Sequence, residues 1–186
     1  MTGAHRLHLL KHGGAIRALA FSSDDRYLAT AGADQQARIW DVTSGALLDI
    51  LEHHRPIDII TFSPDGTFVA FADDDHTAMV WQWEPKRSQR LRRKQNSARN
   101  RQCSHRGIIR ALAFSPDGRS LLTASDDSTA KVWDLSNENE IQEIKRFEHQ
   151  GPIKAACFHA EGQLIVTASE DHTARVWEIS SGQAIH

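Results

Sequence analysis

The chain has 186 residues, of which 40% are apolar and 25% charged, as is typical of a soluble globular domain with a hydrophobic core. Its formal net charge of −2 indicates no general attraction to nucleic acid or membranes, and no apolar run approaches the ~20 residues of a membrane span. Cys103 and Cys157 form no C-x-x-C pair. We therefore expect a reduced, cytoplasmic protein without a disulfide framework.

In chain order, the predicted elements repeat four times. Trp40, Trp81, Trp133 and Trp177 occupy similar contexts, an Asp stands six residues before each, and a His stands 28 residues before each. Such fixed spacing predicts a single domain over residues 1–186 with repeats at about 8–45, 46–86, 100–138 and 141–182.

Each copy predicts several short strands separated by tight turns. In the third copy, apolar residues 108–115 end in Ser115-Pro116-Asp117-Gly118, in which Pro and Gly favour a turn. Further strands are predicted at 120–124, 129–134 and 141–147. Residues 6–10 are predicted as an outer strand before the first repeat. Four short antiparallel strands per copy are typical of a β-propeller blade.

On these residues the chain resembles the WD-repeat (G-beta-like) propeller family. The resemblance covers His8 to Gln183, apart from a basic insert. It implies an all-β fold, a β-propeller segment of about four four-stranded WD-type blades in an incomplete, open ring. Because the family usually closes a ring of more than four blades, we expect the chain to be either a fragment of a longer array or a half that pairs with a second copy or another subunit.

The resemblance also implies a buried hydrogen-bond network of His, Thr, Asp and Trp in each blade. The matching residues are His12, Thr30, Asp34, Trp40, His53, Asp75, Trp81, His105, Thr123, Asp127, Trp133, His149, Thr167, Asp171 and Trp177. The second copy has Phe71 at the Thr position and Gln82 where an Asp follows Trp. We expect its network to be incomplete and its blade to be the least regular.

Catalysis, metal and cofactors are not expected. Of the 11 histidines, four are repeat positions, and Cys103-Ser104-His105 on its own supplies too few ligands for a zinc site. The acidic runs 73–75 and 126–127 fall in the turn before each third strand, where Asp favours tight turns. The sequence therefore predicts a protein that is not an enzyme.

Candidate partner-binding residues follow from two family positions that often face a partner at one end of the propeller. The positions five after the loop His and one before the turn Asp are occupied here by Arg17, Asp58, Arg110 and Lys154, and by Ala33, Asp74, Asp126 and Glu170. This mixed-charge rim suits a charged peptide segment. Alternatively, these charges pair with one another, Arg110 with Asp126 and Lys154 with Glu170.

A basic insert at residues 86–102 carries eight of the chain's 22 basic residues and no acidic residue. Arg90, Arg92, Arg93 and Lys94 are its candidate anion-binding residues, although no aromatic residue is present for base stacking. We expect it to include or replace the second blade's outer strand.

The leading hypothesis is a non-enzymatic scaffold that binds other proteins or peptides. The alternatives are an RNA- or nucleoprotein-associated module that uses the insert, and a propeller half that associates with itself or with further blades.

Overall fold

The computed structural model describes residues 8–83, 100–137 and 140–185, in which fifteen strands form four antiparallel sheets. The first sheet contains β1 (Ile16–Phe21), β2 (Tyr27–Gly32), β3 (Gln36–Asp41) and β4 (Leu47–Glu52). The second contains β5 (Ile57–Phe62), β6 (Phe68–Asp73), β7 (Thr77–Gln82) and β8 (Asn100–Ser104). The third contains β9 (Ile109–Phe114), β10 (Ser120–Ser125), β11 (Thr129–Asp134) and β12 (Gln142–Glu148). The fourth contains β13 (Ile153–Phe158), β14 (Leu164–Ser169) and β15 (Ala174–Glu178).

Strands that are consecutive in sequence are neighbours in each sheet, so every sheet is an up-and-down meander and corresponds to one repeat. This confirms the predicted all-β fold of propeller blades in an open ring. Within the described ranges, no helix has the length and apolar character needed to cross a membrane.

The predicted turn between the first two strands of a blade is built from Ser and Asp in three of the copies. The Ser hydroxyl donates to the Asp carboxylate two residues later, over 2.6, 2.6 and 2.5 Å for Ser22, Ser63 and Ser115. Gly118 follows with φ of 71°, in the left-handed region that glycine adopts without a steric penalty. Asp25 takes this position in the first copy, with φ of 55°.

Neighbouring blades pack small side chains of one blade against bulky side chains of the next. Ala29, Ala31 and Ile39 of the first blade share one buried cluster with Ile57, Phe71 and Trp81 of the second. The same arrangement joins Ala70, Ala72, Ala78 and Val80 to Phe114, Leu121 and Trp133, and joins Leu122, Ala124, Ala130 and Val132 to Ile153, Ile165 and Trp177. The repeat therefore supplies two complementary faces on every blade.

One face of the first blade and one face of the fourth blade lack a neighbour among the described residues. Phe21 is 53% exposed, whereas Phe62 and Phe114 at the same repeat position are 8% and 9% exposed. Leu19, beside Phe21, is 64% exposed. On the fourth blade, Ala168 and Ala174 are exposed, although alanines at these positions are buried in the other three blades. The two open faces are one bulky face and one small-residue face.

Two details at the blade edges differ from the sequence expectations, and a third locates the outer strand that was expected at the basic insert. Residues 8–10 form no strand. The outer strand predicted at residues 6–10 is therefore wrong for the residues that the structure describes. The fourth blade has three strands, and a bridge between Trp177 and Ala184 begins the pairing of a fourth. The outer strand of the second blade is β8, which starts only at the end of the basic insert and runs directly into His105.

Candidate functional site

The structure brings His, Thr, Asp and Trp together in the first, third and fourth blades. In the third blade, His105 lies in the loop before β9, Thr123 on β10, Asp127 in the β10–β11 turn and Trp133 on β11. One imidazole nitrogen of His105 is 2.6 Å from the Thr123 hydroxyl oxygen, and the other is 3.0 Å from Asp127 Oδ2. The Trp133 indole N–H donates to the same hydroxyl over 2.8 Å.

The first and fourth blades repeat this geometry closely. The His–Thr, His–Asp and Trp–Thr distances are 2.7, 3.1 and 2.7 Å for His12, Thr30, Asp34 and Trp40, and 2.7, 2.8 and 2.7 Å for His149, Thr167, Asp171 and Trp177. Because the buried polar atoms find partners within their own blade, the network fixes the loop, the turn and two strands to one another.

The environment of the third network favours an ionised Asp127 beside a neutral His105. Partial burial alone would raise the pKa of Asp127, but hydrogen bonds from Thr129, the Arg106 backbone and His105 outweigh it and lower the pKa to about 2. Burial also lowers the pKa of His105, and the charge of Asp127 offsets this only in part. An ionised carboxylate that accepts from a neutral imidazole is suited to holding a fold together.

In the second blade, the prediction that Asp75 pairs with His53 is wrong. His53 Nε2 lies 2.5 Å from Asp73 Oδ2 instead, and the Asp73 side chain is fully buried. Phe71 has no hydroxyl to hydrogen-bond with the imidazole, and its ring packs edge-on against His53 at a centroid distance of 5.3 Å. The Asp75 side chain is 47% exposed and lies 3.5 Å from His54 Nε2. The second network is thus rearranged around a residue that the family pattern does not include.

The rim residues lie together at one end of the blades. Arg17, Asp58, Arg110 and Lys154 are each the second residue of an innermost strand. Arg17 contacts Asp58 of the next blade over 2.8 Å, and Arg110 contacts Asp126 of its own blade over 2.6 Å. The Arg110 guanidinium holds the pKa of Asp126 below its usual value.

Lys154 completes this row of charges and joins two blades. Its ammonium lies 2.7 Å from Asp126 of the preceding blade and 3.1 Å from Glu170 of its own blade. Asp74 contacts Arg55 over 3.3 Å, and Ala33 adds no charge. The two pairs considered in the sequence alternative, Arg110–Asp126 and Lys154–Glu170, are therefore both present.

The candidate anion-binding residues of the basic insert, Arg90, Arg92, Arg93 and Lys94, lie outside the described residues.

Trp83 is a buried residue that the sequence analysis did not single out. It is 1% exposed and packs edge-on against Tyr27 at a centroid distance of 4.6 Å. Its indole N–H has no hydrogen-bond partner among the described residues. The sequence contained a signal for its burial, because Trp83 stands two residues after the repeat Trp. The other copies have the apolar residues Val42, Leu135 and Ile179 at this position.

The family model for the WD domain, G-beta repeat, matches this chain at residues 4–41, 45–82, 98–134 and 141–178. The chain belongs to the WD-repeat family. These four matches cover most of the 186 residues, and each contains one of the four repeat tryptophans.

Curated relatives of this WD-repeat chain match it over about one repeat. They include nuclear distribution protein PAC1 of Scheffersomyces stipitis (44% identical over 41 residues, 22% of this chain and 8% of that protein) and nuclear distribution protein nudF 2 of Aspergillus clavatus (50% over 36 residues, 19% and 8%). WD repeat-containing protein 38 of Mus musculus is 62% identical over 29 residues, 16% of this chain and 10% of that protein. The matches span a tenth or less of these relatives' lengths, so they show the repeat and not a shared role.

Proposed function

We propose that the protein is a non-catalytic interaction scaffold that docks charged peptide segments on the rim formed by Arg17, Asp58, Arg110, Asp126, Lys154 and Glu170. The observation that carries this proposal is an exposed row of alternating charges that runs from Arg17 to Glu170 across all four blades. A row of fixed positive and negative charges suits a segment with the complementary order of charges.

The strength of these ion pairs supports binding over a purely structural role. The side chains of Arg17, Asp58, Arg110 and Lys154 are 40–45% exposed. Exposed pairs of this kind contribute only about 0–1 kcal/mol each to stability. A partner therefore displaces them at little cost, while the blades keep the charges in position.

The buried networks support the scaffold role because they place the rim on rigid strands. In the third blade, Asp126 carries the rim charge and the adjacent Asp127 accepts from His105 and Thr129. The carboxylates that could suggest acid–base chemistry are engaged in this way by structural donors or by rim cations. These roles support the proposal of a non-enzymatic function.

Affinity capture with wild type and two matched arginine variants tests the proposal. Arg110→Ala removes a rim cation, and Arg119→Ala removes an exposed cation from the β9–β10 turn at the opposite end of the blade. We expect partners identified by mass spectrometry to be lost with Arg110→Ala and retained with Arg119→Ala, with circular dichroism unchanged in both. Identical partner lists for all three proteins would contradict the proposal.

A second candidate function is association with a further blade or a second copy through the two open faces. The exposed face with Leu19 and Phe21 carries bulky side chains like those that are buried at each of the three interfaces between blades. The exposed Ala168 and Ala174 belong to the small-residue face, which packs against such side chains in the other blades. Light scattering across a concentration series tests self-association. We expect Leu19→Asp to lower the mass and Ile144→Asp, an exposed residue on β12, to leave it unchanged. If the protein is monomeric at every concentration, association with a second copy is ruled out.

A further inference from the structure

The second blade holds a group of metal-ligating side chains that has no counterpart among the described residues of the other three blades. One ligand atom from each of His53, His54 and Asp73 lies within 4.8 Å of the others. At the position of His54 the other copies have Gly13, Arg106 and Gln150, and at the position of Asp73 they have Gly32, Ser125 and Ser169. The fold thus joins two departures from the repeat that are nineteen residues apart in sequence.

We propose that His53, His54 and Asp73 form a binding site for a divalent transition metal ion of the zinc class. Two imidazole nitrogens and a carboxylate are a ligand set that Zn²⁺ accepts, with a fourth position left for water or another side chain. Calcium and magnesium prefer oxygen ligands alone, and the site contains no thiolate to favour copper(I).

Two of the three ligands are held in place by the blade. The side chains of His53 and Asp73 are 7% and 0% exposed, and Asp73 also accepts from the Asp75 backbone N–H over 2.7 Å. The packing of Phe71 against His53 fixes the imidazole further. Restricting two ligands before the ion arrives reduces the ordering cost of binding.

The third ligand is free to move towards the ion. His54 is 64% exposed, and its ring centroid is 4.2 Å from that of His53. In a tetrahedral site with bonds of about 2.0–2.2 Å, ligand atoms are separated by roughly 3.3–3.5 Å. The 2.5 Å contact between His53 and Asp73 has to open by about 1 Å. The His54 ligand atom lies within 4.8 Å of the other two and has to close by at most about 1.5 Å.

The surroundings of the site favour a cation. Asp75 Oδ2 is 3.5 Å from His54 Nε2 and offers a second carboxylate for the fourth position. Arg55 contacts Asp74 and Asp75 at 3.3 and 3.5 Å, but both contacts are exposed and therefore weak. A cleft lined by Glu52, Thr77, Met79 and Gln102 gives access from solvent.

A hydrogen bond between His53 and Asp73 alone would explain those two residues, but it would give His54 no role. The exposed His54 therefore distinguishes a metal site from a rearranged hydrogen bond. Its replacement leaves the buried part of the blade intact, whereas Asp73→Asn also perturbs folding contacts.

Zinc titration of the full chain, stripped with a chelator, tests the proposal. We expect one equivalent of Zn²⁺ to bind by calorimetry, and Co²⁺ at the same site to give the visible absorption of a tetrahedral ion. His54→Ala should weaken the affinity at least tenfold and abolish the zinc-induced rise in melting temperature. His159→Ala, which removes an exposed histidine from the fourth blade, should change neither.

Failure to bind one equivalent at 100-fold excess over a micromolar protein sample would overturn the proposal. Binding that His54→Ala leaves unchanged would overturn it equally, because the ion would then occupy other histidines. Neither result bears on the rim, so the scaffold function is tested separately.

Discussion

Alanine at Asp127 is expected to destabilise the protein far more than alanine at Asp75, although both residues occupy the same position in their repeats. Asp127 accepts from His105, from the Thr129 hydroxyl over 2.6 Å and from the Arg106 backbone over 2.8 Å. The donors near the surface recover hydrogen bonds to water when the carboxylate is removed. The His105 side chain is 0% exposed and recovers none, so its Nδ1 keeps only the Thr129 hydroxyl oxygen at 3.1 Å.

The loss of stability in Asp127→Ala is therefore dominated by the buried N–H of His105. An unsatisfied buried donor costs about 1–3 kcal/mol. For a chain of this length, each kcal/mol lowers the melting temperature by about 2–4 °C, so a loss of about 2 kcal/mol gives about 4–8 °C. The Asp75 side chain makes exposed contacts at 3.5 Å, and its loss should cost less than about 1 kcal/mol.

Asp73→Ala provides the decisive comparison. Because Asp73 is fully buried and accepts from His53, its replacement should resemble that of Asp127, with a loss of about 2 kcal/mol. Thermal unfolding followed by circular dichroism, in buffer with a chelator, measures all three variants under one protocol. Equal shifts for Asp127→Ala and Asp75→Ala, or no shift for Asp73→Ala, would refute the assignment of the networks.

Three further predictions concern charge and packing. The pKa of Asp127 near 2 lies below its usual value, so the ionised carboxylate stabilises the fold above about pH 4. This contribution to stability is lost as the pH falls from about 4 towards 2. In that window the midpoint of urea unfolding should therefore depend less on pH in Asp127→Asn than in the wild type. Trp83→Phe keeps the contact with Tyr27 and removes the unpaired N–H, so its urea midpoint should match wild type, while Trp83→Ala should lose about 3–5 kcal/mol. If residues 92–94 contact phosphates, their replacement by alanine should weaken single-stranded oligonucleotide binding and reduce its salt dependence by roughly 0.7 per contact; no binding at low salt removes that function.

The regular copies were predictable because each local signal agreed with the global fold. The spacing of His105, Asp127 and Trp133 placed three polar side chains on a loop, a turn and a strand that the blade brings together. Thr123 followed from the family pattern, and the structure supplies its reason, since one hydroxyl serves both the imidazole and the indole. Agreement between local and global preferences is what makes such a segment interpretable from sequence.

The irregular copy was predictable only as irregular. The absence of a hydroxyl at Phe71 indicated that His53 had lost a hydrogen-bond partner, but no sequence rule states which neighbour replaces it. Asp73 stands two residues before the position at which the pattern places the partner. Its selection depends on the orientation of the His53 ring, which in turn depends on how Phe71 fills the site of the missing Thr.

The substitutions in the second blade therefore explain one another. Phe71 alone would leave a buried imidazole nitrogen without a hydrogen-bond partner, at a cost of about 1–3 kcal/mol. Asp73 supplies a partner for His53, and Asp75 lies outside the network, exposed beside His54. The blade without the hydroxyl thus brings together two histidines and two carboxylates, with Asp75 beside a surface cleft and Asp73 buried behind His53. This chain of dependence is why the most irregular blade, and not the three regular ones, presents the arrangement suited to a metal ion.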